Sequence, residues 1–412
     1  MQLEWAIVGG GIHGVHFAAH LIAQGIATHD KIRIFDPAPK LLERWRERTS
    51  ATGMSFLRSS SVHHLDIEPW SLDRFAGARK GKRKKKAGLF APPYARPALE
   101  LFNSHCTHVI ETYGLEALHI QERVTDCSIH CDGVHLQTTS QESVVAENIL
   151  LAIGGCEEPH RPQWAEVNDS RITHIFERDG DAILSDTRER VAVIGGGISA
   201  GQVALRLANE GHGVSLISRH SLRQHQFDSD PGWLGPKYMK RFSREESPDK
   251  RRSMITEARH RGSVPPDVKR ALRRAIEQQE LHWHEDEVKS LELTQDDITL
   301  SLCGGEDVKV DRVLLATGFE TRRPGGSMVN QLVKSAALPC ATCGFPVLDS
   351  ALRWHPRIYV SGPLAELQIG PVARNIAGAQ RASDRIMAAL KRAQTPRRQT
   401  VSRVQKSQEV RV

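Results

Sequence analysis

No apolar run in these 412 residues approaches the roughly 20 needed to cross a bilayer. That argues against a transmembrane segment, and the lack of a basic leader before the first strand at Trp5 argues against a cleaved signal peptide. Cysteine is scarce. There are seven, an odd number in a chain too large to be a disulfide scaffold, which fits a reducing cytoplasm. Most of the chain also lacks an excess of positive charge. The formal net charge is +7, but seven cationic side chains stand between Arg79 and Lys86 and seven more between Lys391 and Val412, with Glu409 against them. The rest is mildly acidic. A nucleic-acid reader carries its charge on a structured face with interleaved aromatics, so no nucleic-acid partner is expected. The run 79–86 reads as a solvated loop or as a contact for an acidic partner or lipid surface.

What remains is an ordinary globular composition, 39% hydrophobic and 25% charged, long enough for two or three domains. Its most informative features are two glycine-rich turns, Gly9-Gly10-Gly11-Ile12-His13-Gly14 and Gly195-Gly196-Gly197-Ile198-Ser199-Ala200-Gly201. Each lies between a short apolar strand (Trp5 to Val8, Val191 to Ile194) and a helical pattern. Each is followed by a second strand, Lys31 to Phe35 and Gly213 to Ser218, which completes the βαβ unit of a dinucleotide fold.

In such a turn the first glycine makes the bend, the second lets backbone approach a pyrophosphate, and the third lets helix pack close to strand. Gly9, Gly11 and Gly14 fill these roles in the first turn. Gly195 and Gly197, with Ala200 or Gly201, fill them in the second. The unbonded N–H groups at each helix start favour phosphate charge. The acceptors at the ends of the second strands differ. Asp36 stands about 20 residues past the third glycine, placed to accept from a ribose 2′-hydroxyl, which suits the adenosine half of FAD. The corresponding strand of the second unit ends in Arg219, which can pair with a 2′-phosphate, so NADPH is preferred to NADH.

Asn148 to Ile153, Asp311 to Ala316 and Arg357 to Val360 read as further strands. Val268 to Gln279 and Val372 to Leu390 read as helices, and Phe227 to Pro266 as irregular and polar. The expected class is α/β, with two Rossmann-like dinucleotide-binding domains and the NADPH domain inserted in the FAD domain. The expected boundaries are 1–186 and 311–392 for the FAD domain, 187–310 for the insertion and 393–412 for a disordered basic tail.

Several further stretches carry a resemblance. They are Gly53 to Arg58 continuing through His64-Leu65 to Leu72, Phe90 to Glu100, Phe227 to Trp233, Leu315-Ala316-Thr317-Gly318-Phe319, and Gly362 to Ile386. Together with the two turns, they resemble class B flavin-dependent monooxygenases of the L-lysine/L-ornithine N-hydroxylase branch over roughly residues 4 to 390. The resemblance implies FAD reduced by NADPH, O₂ adding at the flavin C4a, and the hydroperoxide delivering one oxygen to a small molecule, most readily at nitrogen. It implies that Thr317, Gly318 and Gly362 help hold cofactor. The motif near His174 matches only in part. Where the amino-acid N-hydroxylases carry a glutamine and a lysine, this chain carries Arg58 and His63, which puts a lysine or ornithine substrate in doubt and leaves anionic or apolar molecules open.

Arg58 can bind nicotinamide phosphates or a substrate carboxylate. His63 can steer a proton or orient substrate, or simply be hydrogen-bonded beside the cofactor. Trp233, Lys237 and Tyr238 are candidate substrate contacts in a long loop; surface packing is the alternative. Cys340-Ala341-Thr342-Cys343 has the spacing of a redox pair, but no helix start is evident to lower its pKa. Cys127 and Cys131 have no strong metal spacing, and no metal is expected. Two other activities stay open: an NAD(P)H-dependent flavoprotein reductase or disulfide-type oxidoreductase that inserts no oxygen, and a flavin-binding protein acting through a partner at 79–86.

Overall fold

The computed structural model describes residues 2–77, 88–155, 158–177 and 187–394. The basic run 79–86, the expected boundary at 186 and the tail past 394 lie outside the described residues.

Strand Gln2–Val8 is buried from Trp5 to Val8 and pairs in parallel with Ile32–Phe35 and Ser143–Leu151. Ile358–Val360 and His119–Ile120 extend this parallel core on either side, and Arg353–His355 adds an antiparallel edge. The hairpin Val124–Ile129 and Val134–Thr138 folds back onto Ser143–Leu151. Strands covered on both faces read as continuous apolar runs rather than alternating ones, which is why Trp5 to Val8 is uniformly apolar. Helix Ile12–Ala23 packs its buried face on this sheet, and Phe17 meets Trp5 edge-on at 5.1 Å between centroids. Ile7, Ile34 and Leu150 are wholly buried, each contributing about 2 kcal/mol of transfer free energy.

The second sheet is parallel throughout, in the order Leu281–His284, Gly213–Ile217, Arg190–Ile194, Arg312–Leu315 and Ile172–His174. An antiparallel meander, Val288–Leu293, Ile298–Leu302 and Asp307–Val310, covers one of its faces by burying Ile298, Leu300 and Val310 against Ile194, Ile217 and Val313. The fold is α/β with two Rossmann-like units. The first sheet draws its strands from before residue 152 and after residue 352, so the second unit is inserted in the first.

The observed edges of that insertion differ from those expected. Ile172–His174 and Arg312–Leu315 both pair in the second sheet, so the boundaries at 187 and 310 fall inside its span. Strand partners lie far apart in sequence, and an apolar run does not declare which sheet it joins. Phe227 to Pro266 is also not irregular. It contains helices Pro236–Arg244 and Pro248–Ala258, each opened by proline at its first position, where the missing N–H has no helical partner to lose. Their largely polar sequence masked them. The final helix runs Ile376–Gln394, preceded by a separate 3₁₀ turn, Pro371–Arg374, and the extended residue Asn375.

Candidate functional site

The two glycine turns show a fit to dinucleotides that does not depend on their sequence pattern. Gly9 has φ of +114°, and a Cβ there would lie 2.4 Å from the Ala152 carbonyl oxygen. A Cβ on Gly14 would sit 1.9 Å from the Gly9 oxygen, so only glycine lets this helix approach its strand. A Cβ on Gly11 would meet nothing within 4 Å. Open space therefore faces the start of helix Ile12–Ala23, which has no side-chain cap and no acidic residue in its first turn. Unbonded N–H groups facing open space suit a pyrophosphate.

The second turn repeats this. Gly195 has φ of +148° and would clash with the Ala316 oxygen at 2.5 Å, while Gly197 faces open space apart from Gly262 Cα at 3.9 Å. Helix Ile198–Asn209 likewise has no side-chain cap or first-turn acid. Ala200 is fully buried and occupies the place of Gly14, while Gly201 faces Leu272 and Val268 on the far side of the helix.

Asp36 accepts the Gly10 N–H at 2.7 Å on Oδ2 and the Ala38 N–H at 2.9 Å on Oδ1. It thus fixes the turn, and each oxygen keeps a lone pair for a hydroxyl. Arg219 is exposed at the rim of a cavity of about 860 Å³ that also takes in Gly195, Gly197, Thr317 and Gly318. Thr317 donates its hydroxyl to the His160 oxygen, and His160 N–H donates to the Gly318 oxygen at 2.9 Å, which closes the cavity wall opposite the second turn.

A second cavity, of about 330 Å³, lies between the units. The first helix contributes Ile12 and His13; the segment after it, Met54, Leu57, Arg58, Ser59 and His63; the insertion, Phe227 to Pro231 and Leu234; and the turn before the last helix with that helix's first residues, Val372 to Ala377 except Ala373. Arg58, Asp228 and Arg374 border both cavities, so the two spaces adjoin.

Arg58 is largely committed. Its Nε donates to the Gln226 oxygen at 2.8 Å, and Nη2 donates to the His225 oxygen at 2.8 Å and Ser263 Oγ at 2.9 Å. Three of its five N–H groups therefore tie the flavin-side segment to the insertion, and only Nη1 is left for a ligand. His63 faces the smaller cavity, and burial, reinforced by His64 and Arg381, pushes its pKa down to about 4, so it is neutral at pH 7. Gly362, with φ of +70°, lies against the His13 ring, whose Nδ1 is 2.7 Å from Ser361 Oγ.

Sequence reasoning missed a charged hub behind the shared wall. Glu366 is fully buried and accepts from Arg252, from Arg259 at 2.8 Å, and from Arg374 at 3.0 and 3.2 Å. Burial pushes its pKa up, but Arg374, Arg259 and Arg252 outweigh that and hold it below the usual carboxylate range. Three guanidiniums on one carboxylate leave this wall with an excess of positive charge. Asp228 in turn is held by Asn375 Nδ2 at 3.1 Å.

With two dinucleotide folds and adjoining cavities in place, the comparison with protein families is decisive. A model described as pyridine nucleotide-disulphide oxidoreductase matches residues 93–391, and one described as FAD-NAD(P)-binding matches residues 6–156. The chain belongs to the pyridine nucleotide-disulphide oxidoreductase family. This oxidoreductase therefore binds a flavin and a pyridine nucleotide. Among solved structures it is similar to ornithine N-hydroxylase from Kutzneria sp. 744, at 17% identity and a TM-score of 0.74, covering 96% of this chain and 100% of that one. It is similar to the cadaverine monooxygenase of Erwinia amylovora, at 12% and 0.72, covering 95% and 94%. Bacillithiol disulfide reductase from Bacillus cereus follows at 17% and 0.62, covering 95% and 100%. No curated protein matches.

Within this family member, Trp233, Lys237 and Tyr238 do not line either cavity. Trp233 is buried against Tyr238 and Phe242, and the Lys237 ammonium lies 4.7 Å from the Tyr238 ring centroid. The aromatic residues anchor the loop, and Phe227 to Pro231 with Leu234 reach the cavity instead. Cys340 and Cys343 are exposed, free thiols outside both linings, and burial raises the Cys340 pKa. Among the described residues no group of three or more histidine, cysteine or acidic side chains is arranged to hold a metal ion. Arg374, Asn375 and Glu366 gave no signal because they lie between short turns, whereas His13 stands inside the first glycine motif, where its place could have marked it.

Proposed function

We propose that this oxidoreductase is an NADPH- and O₂-dependent flavin monooxygenase that hydroxylates a small molecule, most readily at nitrogen. The observation that carries the reading is the junction of the two cavities at Arg58, Asp228 and Arg374, with no thiol of the described residues in either lining. The similarity to ornithine and cadaverine hydroxylases supports the same reading. FAD, when bound, supplies electron transfer from the nicotinamide to O₂ and the delivery of one oxygen atom. The chain supplies the rest. Gly11 and Gly197 leave room for phosphates, Asp36 takes a ribose hydroxyl, and Arg219 pairs with the 2′-phosphate of NADPH. Arg58 holds the insertion against the flavin-side segment. Ile12, Met54, Leu57, Leu234 and Ile376 exclude water from the smaller cavity, and the neutral rings of His63 and His13 complete its lining.

For an amine entering as its ammonium the balance is RNH₃⁺ + NADPH + O₂ → RNHOH + NADP⁺ + H₂O. The nitrogen must shed a proton before it can accept oxygen, so the cavity needs a group to carry that proton. The same fold in bacillithiol disulfide reductase favours a second reading, NADPH-driven reduction without oxygen insertion. A panel of small amines, assayed under isotopically labelled O₂, separates the two. Label in the product supports the monooxygenase; NADPH consumption that yields only peroxide or reduced disulfide with every substrate refutes it.

A further inference from the structure

The first helix carries histidines at 13, 16 and 20, on successive turns of one face. His63 and His64 lie on the segment that follows, and His105 lies on helix Leu99–Thr112. His16, His64 and His105 are each at most 2% exposed. Their bonds fix where the protons sit. His16 Nδ1 is 2.6 Å from the Leu65 oxygen, which can only accept, so Nδ1 carries the hydrogen and Nε2 is basic. His105 Nε2 is 3.0 Å from Ser71 Oγ, and the Ser71 hydroxyl donates to Asp66. Nε2 of His105 therefore carries the hydrogen and Nδ1 is basic. Four ring nitrogens are buried without a hydrogen bond of good geometry, His13 Nε2, His16 Nε2, His64 Nδ1 and His105 Nδ1, although the backbone of Arg374 and Asn375 lies near the His13 ring and that of Asp66 near the His64 ring. One such atom is an exception; four in one neighbourhood call for bridging water.

The row has two ends. His13 lines the smaller cavity, and Asp66, half-buried, accepts from Tyr113 at 3.0 Å and the Ile67 N–H at 2.7 Å as well as from Ser71. The His64 and His105 rings meet edge-on at 5.4 Å, and His16 and His20 are 4.6 Å apart.

We propose that His13, His16, His64 and His105, joined by buried water, carry protons between Asp66 and the cavity at the junction of the two nucleotide units. The proposal deepens the monooxygenase reading and rests on it for the destination of the proton. The path would supply the proton that a neutral substrate requires from outside and would carry away the one an ammonium sheds. The charged and titratable groups facing the row are Asp66, Asp73, Arg74, His108 and Lys391. Burial, with neighbouring histidines adding to it, pushes His13, His16 and His105 down to about 4. At pH 7 each is protonated about one time in a thousand. The row therefore passes protons on without storing them.

The test uses the flavin-loaded protein without substrate, reduced by NADPH and mixed with O₂ in weak buffer containing a pH-indicator dye. The reaction NADPH + H⁺ + O₂ → NADP⁺ + H₂O₂ takes up one proton whether or not the protein can hydroxylate anything. Ser71→Ala and His105→Gln should slow proton uptake tenfold or more while leaving the anaerobic reduction by NADPH at the wild-type rate, and small weak acids such as imidazole should restore uptake. Uptake at the wild-type rate in both variants overturns the path. Nitrogen NMR of the wild-type histidine rings decides the matter if neither variant folds: hydrogen on His16 Nδ1 and His105 Nε2 supports the row, and the opposite tautomers overturn it. A wild type that takes up the proton by this route yet never inserts oxygen would refute the monooxygenase reading alone.

Discussion

The two glycines that differ most in their surroundings give the sharpest test of the first nucleotide site. Gly11 has open space where its Cβ would stand, whereas a Cβ on Gly14 would be 1.9 Å from the Gly9 oxygen and 3.1 Å from Ile7 Cγ2. Gly11→Ala should therefore leave the flavin-free protein within about 0.5 kcal/mol of wild type. Its methyl group intrudes only when a pyrophosphate fills the space. A misfit of about 1–3 kcal/mol, typical of one extra carbon in a packed contact, weakens flavin binding by about 5- to 150-fold. Gly14→Ala should do the reverse in order of events. It must push the helix off its strand, so it destabilises the flavin-free protein by about 1–3 kcal/mol or more, and flavin loss follows. Denaturant titration of the stripped protein and flavin titration by fluorescence quenching give the two numbers for each variant. Gly11→Ala binding flavin as tightly as wild type would refute the phosphate cradle. Gly14→Ala with unchanged stability would refute the packing that the cradle rests on.

Arg219→Ala should raise KM for NADPH by about 10- to 100-fold, the worth of a charge-assisted contact, and leave KM for NADH nearly unchanged; equal effects in steady-state kinetics would remove the phosphate role. Glu366→Gln should destabilise the protein by about 3–5 kcal/mol, because it leaves Arg252, Arg259 and Arg374 facing one another without their anion. Since the folded Glu366 carboxyl is held below its unfolded value, its contribution is present above the unfolded pKa and fades as pH falls through the folded one, so chemical denaturation of the variant should lose less stability below pH 5 than wild type does. The buried histidines act in a higher window. His13, His16, His63 and His105 stay neutral in the fold down to about pH 4 but charge near 6.5 once unfolded, so stability should fall from pH 6.5 toward 4 by about 1 kcal/mol per histidine per pH unit. A flat denaturation midpoint across that range would contradict their burial.

The parts of this molecule set by local chemistry were legible in its sequence. Both βαβ units declared themselves because a dinucleotide turn imposes glycine at fixed spacing and a parallel strand imposes an apolar run. The places of Asp36 beside the first turn and of Arg219 at the larger cavity also followed from their positions at strand ends, while their roles toward a nucleotide remain proposals. What escaped was set by contacts distant in sequence. Ile172–His174 and Arg312–Leu315 joined the second sheet through pairing with strands far along the chain, and no residue within them says so. Helices Pro236–Arg244 and Pro248–Ala258 were hidden by polar composition even though each opens on a proline. Trp233 looked like a substrate contact because aromatic residues in long loops often are, but it anchors the loop from below, where Arg381 donates to its carbonyl at 2.9 Å. The Glu366 hub joins residues 252, 259, 366 and 374 by charge alone, a kind of contact that leaves no periodic trace.

Flavin and nicotinamide should meet across the junction bordered by Arg58, Asp228 and Arg374. Anaerobic stopped-flow mixing of the flavin-loaded protein with NADPH tests it directly. The bound flavin should bleach fully in a single turnover, with NADPH far more effective than NADH at equal low concentration. Flavin that stays oxidised in the presence of saturating NADPH would contradict it.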